Sequence, residues 1–117
     1  MLPADRTLDT LLDLDGQVLV VDPDGGYWVR FAVTRVPASL SKPHGLDYSL
    51  TLHGPDGERL VGFDNAHPVT RAQRGGPQDH RHRSRSVKPY EYRDAAGLLA
   101  DFWEAVDAVL REKGVIR

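Results

Sequence analysis

The sequence contains no cysteine. Disulfides and thiolate metal sites are therefore excluded, and a metal would have to be held by histidine, aspartate or glutamate. Long apolar runs are missing as well. No stretch approaches the ~18 residues that a bilayer-spanning helix needs, so no membrane association is expected. Met1 to Asp5 carries neither the basic segment nor the apolar run of a secretion signal, which makes the cytoplasm the expected location. Walker-type loops, dinucleotide fingerprints, HExxH helices and nucleophile elbows are also absent. Nucleotide hydrolysis, hydride transfer and serine-type hydrolysis lose their usual supports, and no cofactor is expected.

What is present suits a folded domain. The chain has 117 residues, 40% hydrophobic and 27% charged, a balance that fits one globular core. A net charge of -2 conceals an asymmetry. Residues 71 to 93 hold seven basic side chains against two acidic ones, so a basic segment sits on an otherwise acidic protein. Such a local field concentrates polyanions at one face.

Apolar periodicity orders the chain. Leu8, Leu11 and Leu12 share one side of a short helix over residues 7 to 14, with Thr7 as its N-cap. Gln17 to Asp22 is a β-branched run before a Pro-Asp-Gly-Gly turn, and forms the first strand. In the second, Tyr27 to Val36, Tyr27, Val29, Phe31 and Val33 alternate with polar neighbours. The third, Leu46 to His53, places Leu46, Tyr48, Leu50 and Leu52 on one face. Gly54-Pro55-Asp56-Gly57 then turns the chain into a fourth strand, Glu58 to Asp64. Asp94 caps a final helix reaching Lys113, with Leu99, Phe102, Trp103, Val106, Val109 and Leu110 as its buried stripe and Gly114 as its stop. The expected architecture is α+β: a four-stranded antiparallel meander, with a short N-terminal helix and a long C-terminal helix packed on one face. Residues 65 to 86 are read as a basic loop, longer than the ~12 to 15 residues that compact domains tolerate without a function.

Two clusters carry chemistry. The first, Asp64-Asn65-Ala66-His67, leaves the fourth strand with a carboxylate, an amide and an imidazole, although Asp-Asn also ends strands by simple turn bonding. The second is Asp79-His80-Arg81-His82-Arg83. If extended, it turns His80 and His82 to one side and Arg81 and Arg83 to the other. Two imidazoles near their ordinary pKa of about 6.5 can serve as base and acid, while guanidiniums grip phosphate. Cleavage of RNA through its own 2'-hydroxyl needs that set of roles and no metal. Two alternatives stay open for the His-x-His pair: metal ligation completed by Asp64 or His67, and a solvated basic loop. Asp64, Asn65, His80 and His82 are the catalytic candidates. Arg81, Arg83, Arg85, His67 and Lys88 are the phosphate-binding ones. Trp28, Trp103 and Tyr90 read as core before they read as base-stacking groups.

The order of segments resembles a known family. Arg35-Val36, His44-Gly45-Leu46-Asp47-Tyr48-Ser49-Leu50, Gly62-Phe63-Asp64-Asn65-Ala66-His67, His80-Arg81-His82 and Pro89-Tyr90-Glu91-Tyr92 before a terminal helix are similar to the TumE family of bacterial toxin-antitoxin proteins. The likeness runs from about Trp28 to Lys113. Phe63-Asp64-Asn65-Ala66 matches an aromatic-Asp-Asn-Ala motif, and His80-Arg81-His82 matches a His-Lys-His motif with arginine in place of lysine. Gly62 stands where many members carry arginine. The resemblance implies a toxin with a cognate antitoxin as partner. Residue chemistry adds RNA as the expected target, with docking of the basic loop on nucleic acid or antitoxin as the non-catalytic alternative. A homodimer stays open as an assembly.

Overall fold

Strands form where apolar and polar residues alternate, and the third strand does so without exception. In the computed structural model, which describes residues 5, 7–68 and 70–116, the strands are β1 (Val18–Asp22), β2 (Tyr27–Arg35), β3 (Leu46–His53) and β4 (Arg59–Asp64). Leu46, Tyr48, Leu50 and Leu52 of β3 are all buried, and each intervening residue is more exposed. The β3–β4 hairpin closes as its turn residues demand. Gly57 has φ +82°, a region that costs glycine nothing, and its N–H donates to the Gly54 carbonyl at 2.9 Å.

The sheet does not stop at four strands. β5 (His80–Arg83) and β6 (Ser86–Pro89) extend it to six, all antiparallel and in sequence order. The expected four-stranded sheet is thus corrected, and residues 65–86 are not one loop. They comprise a connection containing a short 3-10 turn (Arg71–Gly75), then β5, then the tight turn into β6. The physical reason is that β5 alternates imidazole with guanidinium and β6 is exposed throughout, so neither offers the apolar alternation that marks a half-buried strand. Val69, within the connection, lies outside the described residues.

One face of the sheet carries the core. Val29, Phe31, Leu50, Leu52, Val61 and Phe63 pack with the terminal helix α2 (Ala95–Glu112) and with Leu11 of the short helix α1 (Leu8–Asp13). The buried stripe of α2 is Ala95, Leu98, Phe102, Val106, Val109 and Leu110. Leu98 takes the place expected for Leu99, which is only partly buried, as is Trp103. Among the described residues no helix is long and apolar enough to cross a membrane.

The start of α2 is capped from two directions. Asp94 accepts from Gly97 N at 2.7 Å, as its N-cap position leads one to expect. The two preceding N–H groups are bonded by the other end of the chain: Ala95 N donates to Asp5 Oδ2 and Ala96 N to Thr7 Oγ1, both at 2.9 Å. Thr7 occupies the N-cap position of α1 but makes no side-chain cap there. Its hydroxyl instead receives α2 while donating to Asp5 Oδ1. These bonds hold the Asp5 carboxyl below its ordinary pKa, the Thr7 hydroxyl contributing most. Replacing Asp5 or Thr7 by alanine should each lower stability by about 1 kcal/mol, read as a shifted urea midpoint at unchanged slope. An unchanged midpoint would show that α2 does not depend on these caps.

Candidate active site

Side chains directly across an antiparallel ladder share a face, so the register decides what meets what. β4 pairs with β5 as Asp64↔His80, Phe63↔Arg81, Gly62↔His82 and Val61↔Arg83. Phe63 and Val61 belong to the core face. Asp64, His80 and His82 therefore stand together on the face turned away from α2, next to Ser49 and Thr51 of β3, which pair with Asp64 and Gly62.

The geometry there is tight. His80 Nε2 lies 2.8 Å from Asp64 Oδ1, and His82 Nε2 lies 3.4 Å from Asp64 Oδ2. The two imidazole rings meet edge to face at 4.8 Å. The side chain of His80 is fully enclosed, whereas those of His82 and Asp64 are 15% and 13% exposed. Solvent thus reaches His82 and Asp64, and His80 stands behind them. His80 Nδ1 lies 3.0 Å from the Gln78 carbonyl oxygen. A carbonyl only accepts, so Nδ1 carries the hydrogen. Asp64 Oδ1 accepts from Ala66 N at 3.1 Å, which fixes the carboxylate and also satisfies the turn role expected for this residue. One nitrogen from each histidine and one oxygen from Asp64 all lie within 4.8 Å of one another, so among the described residues these three form a group able to hold a metal ion.

Burial pushes the pKa of His82 down, and the nearby Arg59 charge pushes it the same way, against the opposing pull of Asp64. Sequence reasoning missed Arg59. By parity with Val61 it should face the core, but the register slips between Leu52 and His53, so that Arg59 pairs with His53. The bulge turns its side chain across Gly62, where a Cβ would sit 3.3 Å from Arg59 Cδ and 3.5 Å from His82 Cδ2. Trp28 and His53 stack on the same face, rings 4.2 Å apart and nearly parallel. An aromatic on an alternating strand, expected as core, here belongs to the side away from the helix.

The remaining predicted residues fall in different places. His67 is exposed, with its ring 5.1 Å from that of His80. Asn65 is wholly buried and turned to the core side. It accepts from Tyr48 N at 3.0 Å and donates to the Leu46 carbonyl at 2.8 Å, so its amide continues the sheet after β4 ends. Arg81 and Arg83 are not brought to the histidines. Arg81 sits 4.8 Å above the Phe63 ring, and Arg83 pairs with Glu112. Both line a groove of about 160 Å³ with Asp101 and Glu104 of α2, where carboxylates already balance their charge. Arg85, in the β5–β6 turn, and Lys88, opposite Arg81, are exposed.

A buried network holds β5 in position. Asp79, 1% exposed, accepts from the Tyr48 hydroxyl at 2.6 Å and lies 3.3 Å from His44 Nε2, whose ring packs on Tyr92. Burial, then the Asp79 charge, raises the Tyr48 pKa far above the usual phenol range, so the hydroxyl stays a donor. His44 is part of this anchor. Asn65→Ala would leave Tyr48 N and the Leu46 carbonyl unpaired in the interior, and should cost about 2 to 4 kcal/mol. Chemical denaturation checks this, and a loss under 1 kcal/mol would remove Asn65 from the support of the site.

Comparison with known proteins agrees with the motifs. No curated protein and no solved structure matches this chain. A family model described as Toxin TumE matches residues 12–110, from α1 through the last turns of α2, and so takes in all six strands and the Asp64–His80–His82 cluster. The chain belongs to the toxin TumE family.

Proposed function

We propose that this toxin, whose family membership implies a cognate antitoxin as partner, acts by cutting RNA at the Asp64–His82 end of the sheet face turned away from α2. One observation carries the proposal: a carboxylate, a solvent-reaching imidazole and a guanidinium, from Asp64, His82 and Arg59, converge on that face. Cleavage through the RNA's own 2'-hydroxyl requires a proton acceptor at that hydroxyl and positive charge near the phosphorus. His82 is the group within reach for the first role, oriented by Asp64; as the 2'-oxygen bonds to phosphorus the 5'-oxygen leaves, and it takes its proton from the His82 imidazolium so formed or from water. Arg59 suits the second, since a guanidinium can bond two phosphate oxygens at once. His80, fully enclosed, serves as a positioning residue behind Asp64.

The Trp28–His53 stack supports the same target class. Single-stranded RNA is commonly bound on open sheet faces, where unpaired bases lie against aromatic rings. Arg30, exposed on the same face as Trp28, adds charge along that path. Arg81 and Arg83, on the helix side, have no part in the cleavage step.

His82→Ala should reduce cleavage of a single-stranded RNA by about 10²- to 10⁴-fold, and relieve growth inhibition when the toxin is produced alone. Arg59→Ala should weaken RNA binding and flatten its salt dependence. Arg81→Ala with Arg83→Ala should leave cleavage within a few-fold. Cleavage that survives His82→Ala in a folded protein would sink the assignment.

A further inference from the structure

We propose that Asp64, His80 and His82 bind one divalent transition-metal ion of the zinc class. The sequence left metal ligation as one of three alternatives for the His-x-His pair. The atoms around His80 support it.

His80 Nδ1 faces a carbonyl oxygen at 3.0 Å and must donate to it. In a neutral ring Nε2 then presents a lone pair. The group it meets is a carboxylate oxygen at 2.8 Å, which also offers only lone pairs. Two acceptors at that separation repel unless a cation lies between or beside them. Nε2 is fully buried and makes no aligned hydrogen bond in this geometry. Burying such an atom without a partner is costly. A metal ion placed off the line of the direct contact satisfies Nε2 and the carboxylate together.

The donor set and its surroundings match that role. Two imidazole nitrogens and one carboxylate oxygen suit zinc, cobalt, nickel or iron, while magnesium prefers oxygen alone. Ligand bonds of about 2.1 Å in a tetrahedron put neighbouring donors ~3.4 Å apart; His82 Nε2 lies 3.4 Å from Asp64 Oδ2, whereas His80 Nε2, 2.8 Å from Oδ1, has to draw back to admit the ion. Metal-bound histidines usually donate their other ring N–H to a backbone carbonyl or a carboxylate, and ligating carboxylates are themselves hydrogen-bonded. Gln78 supplies the carbonyl to His80, and Ala66 N supplies the bond to Asp64. With three protein ligands the ion keeps a coordination position on the side where His82 and Asp64 reach solvent.

Metal binding does not depend on RNA being the substrate. If both proposals hold, Asp64, His80 and His82 would hold the ion, which would supply Lewis-acid chemistry at the phosphate, and His82 would then act as a ligand. Growth inhibition in His82→Ala is lost either way.

The test is titration of the full chain, stripped with chelator and dialysed, with Zn²⁺ and separately with Co²⁺, in the absence of RNA. One ion per chain is expected, with visible Co²⁺ absorption of a four- or five-coordinate site and a melting temperature that rises with Zn²⁺. Asp64→Asn, His80→Ala and His82→Ala should each weaken binding at least tenfold and abolish the Co²⁺ band. His82 is partly exposed, so His82→Ala is the variant least exposed to folding failure, and circular dichroism checks that it is folded. No binding at 100 μM Zn²⁺ by the folded wild type would overturn the site. So would binding that persists unchanged in folded His82→Ala. A site that binds zinc on a protein that cuts no RNA leaves this inference standing and removes the other.

Discussion

The arrangement of charge in this protein depends on the register between β4 and β5. A slip of one residue would carry both histidines to the helix side and bring two guanidiniums to the outer face. Several contacts hold the pairing in place. The Arg81 guanidinium rests on the Phe63 ring, and Ser84 N bonds the Leu60 carbonyl just past β5. At the other end the Asp79 carbonyl accepts from Tyr90 N and from Gln73 Nε2. The arginines of β5 therefore act mainly as structural partners that keep the intervening histidines where Asp64 can meet them.

Behind that register lies a polar anchor inside an otherwise apolar layer. Asp79 is buried, and Tyr48 and His44 provide its side-chain bonds. Tyr48 also belongs to the core face of β3, and its backbone N–H is held by Asn65. One residue thus ties the end of β4 to the entry of β5. The connection from 65 to 79 is fastened at both ends, with Lys42 adding a bond to the Asn65 carbonyl at 2.5 Å.

Much of this was legible in the sequence, and the failures have physical causes. β3 could be read to the residue because its alternation is strict and its burial follows it. The terminal helix could be read from its cap and stripe: Phe102, Val106, Val109 and Leu110 are buried as expected, and Leu98 takes the place of its neighbour Leu99. The fifth and sixth strands could not be read by apolar periodicity, since both faces of β5 are polar. Yet the two-residue spacing of the histidines already implied that they share a side if extended. Asn65 was singled out for chemistry, but its bonds to the backbone of β3 were beyond reach, as was the place of Arg59: one acts on a strand distant in sequence, and the other depends on a bulge. Neither leaves a local signature.

The bonds from Asp5 and Thr7 to the first amides of α2 join residues separated by about 90 positions. A helix begun this way cannot complete its first turn from local sequence alone. Ala95 and Ala96 find their side-chain partners only where the intervening sheet has brought Asp5 and Thr7 beside the start of α2. Hydrogen exchange at these two amides therefore reports on a long-range contact and not on helix propensity alone.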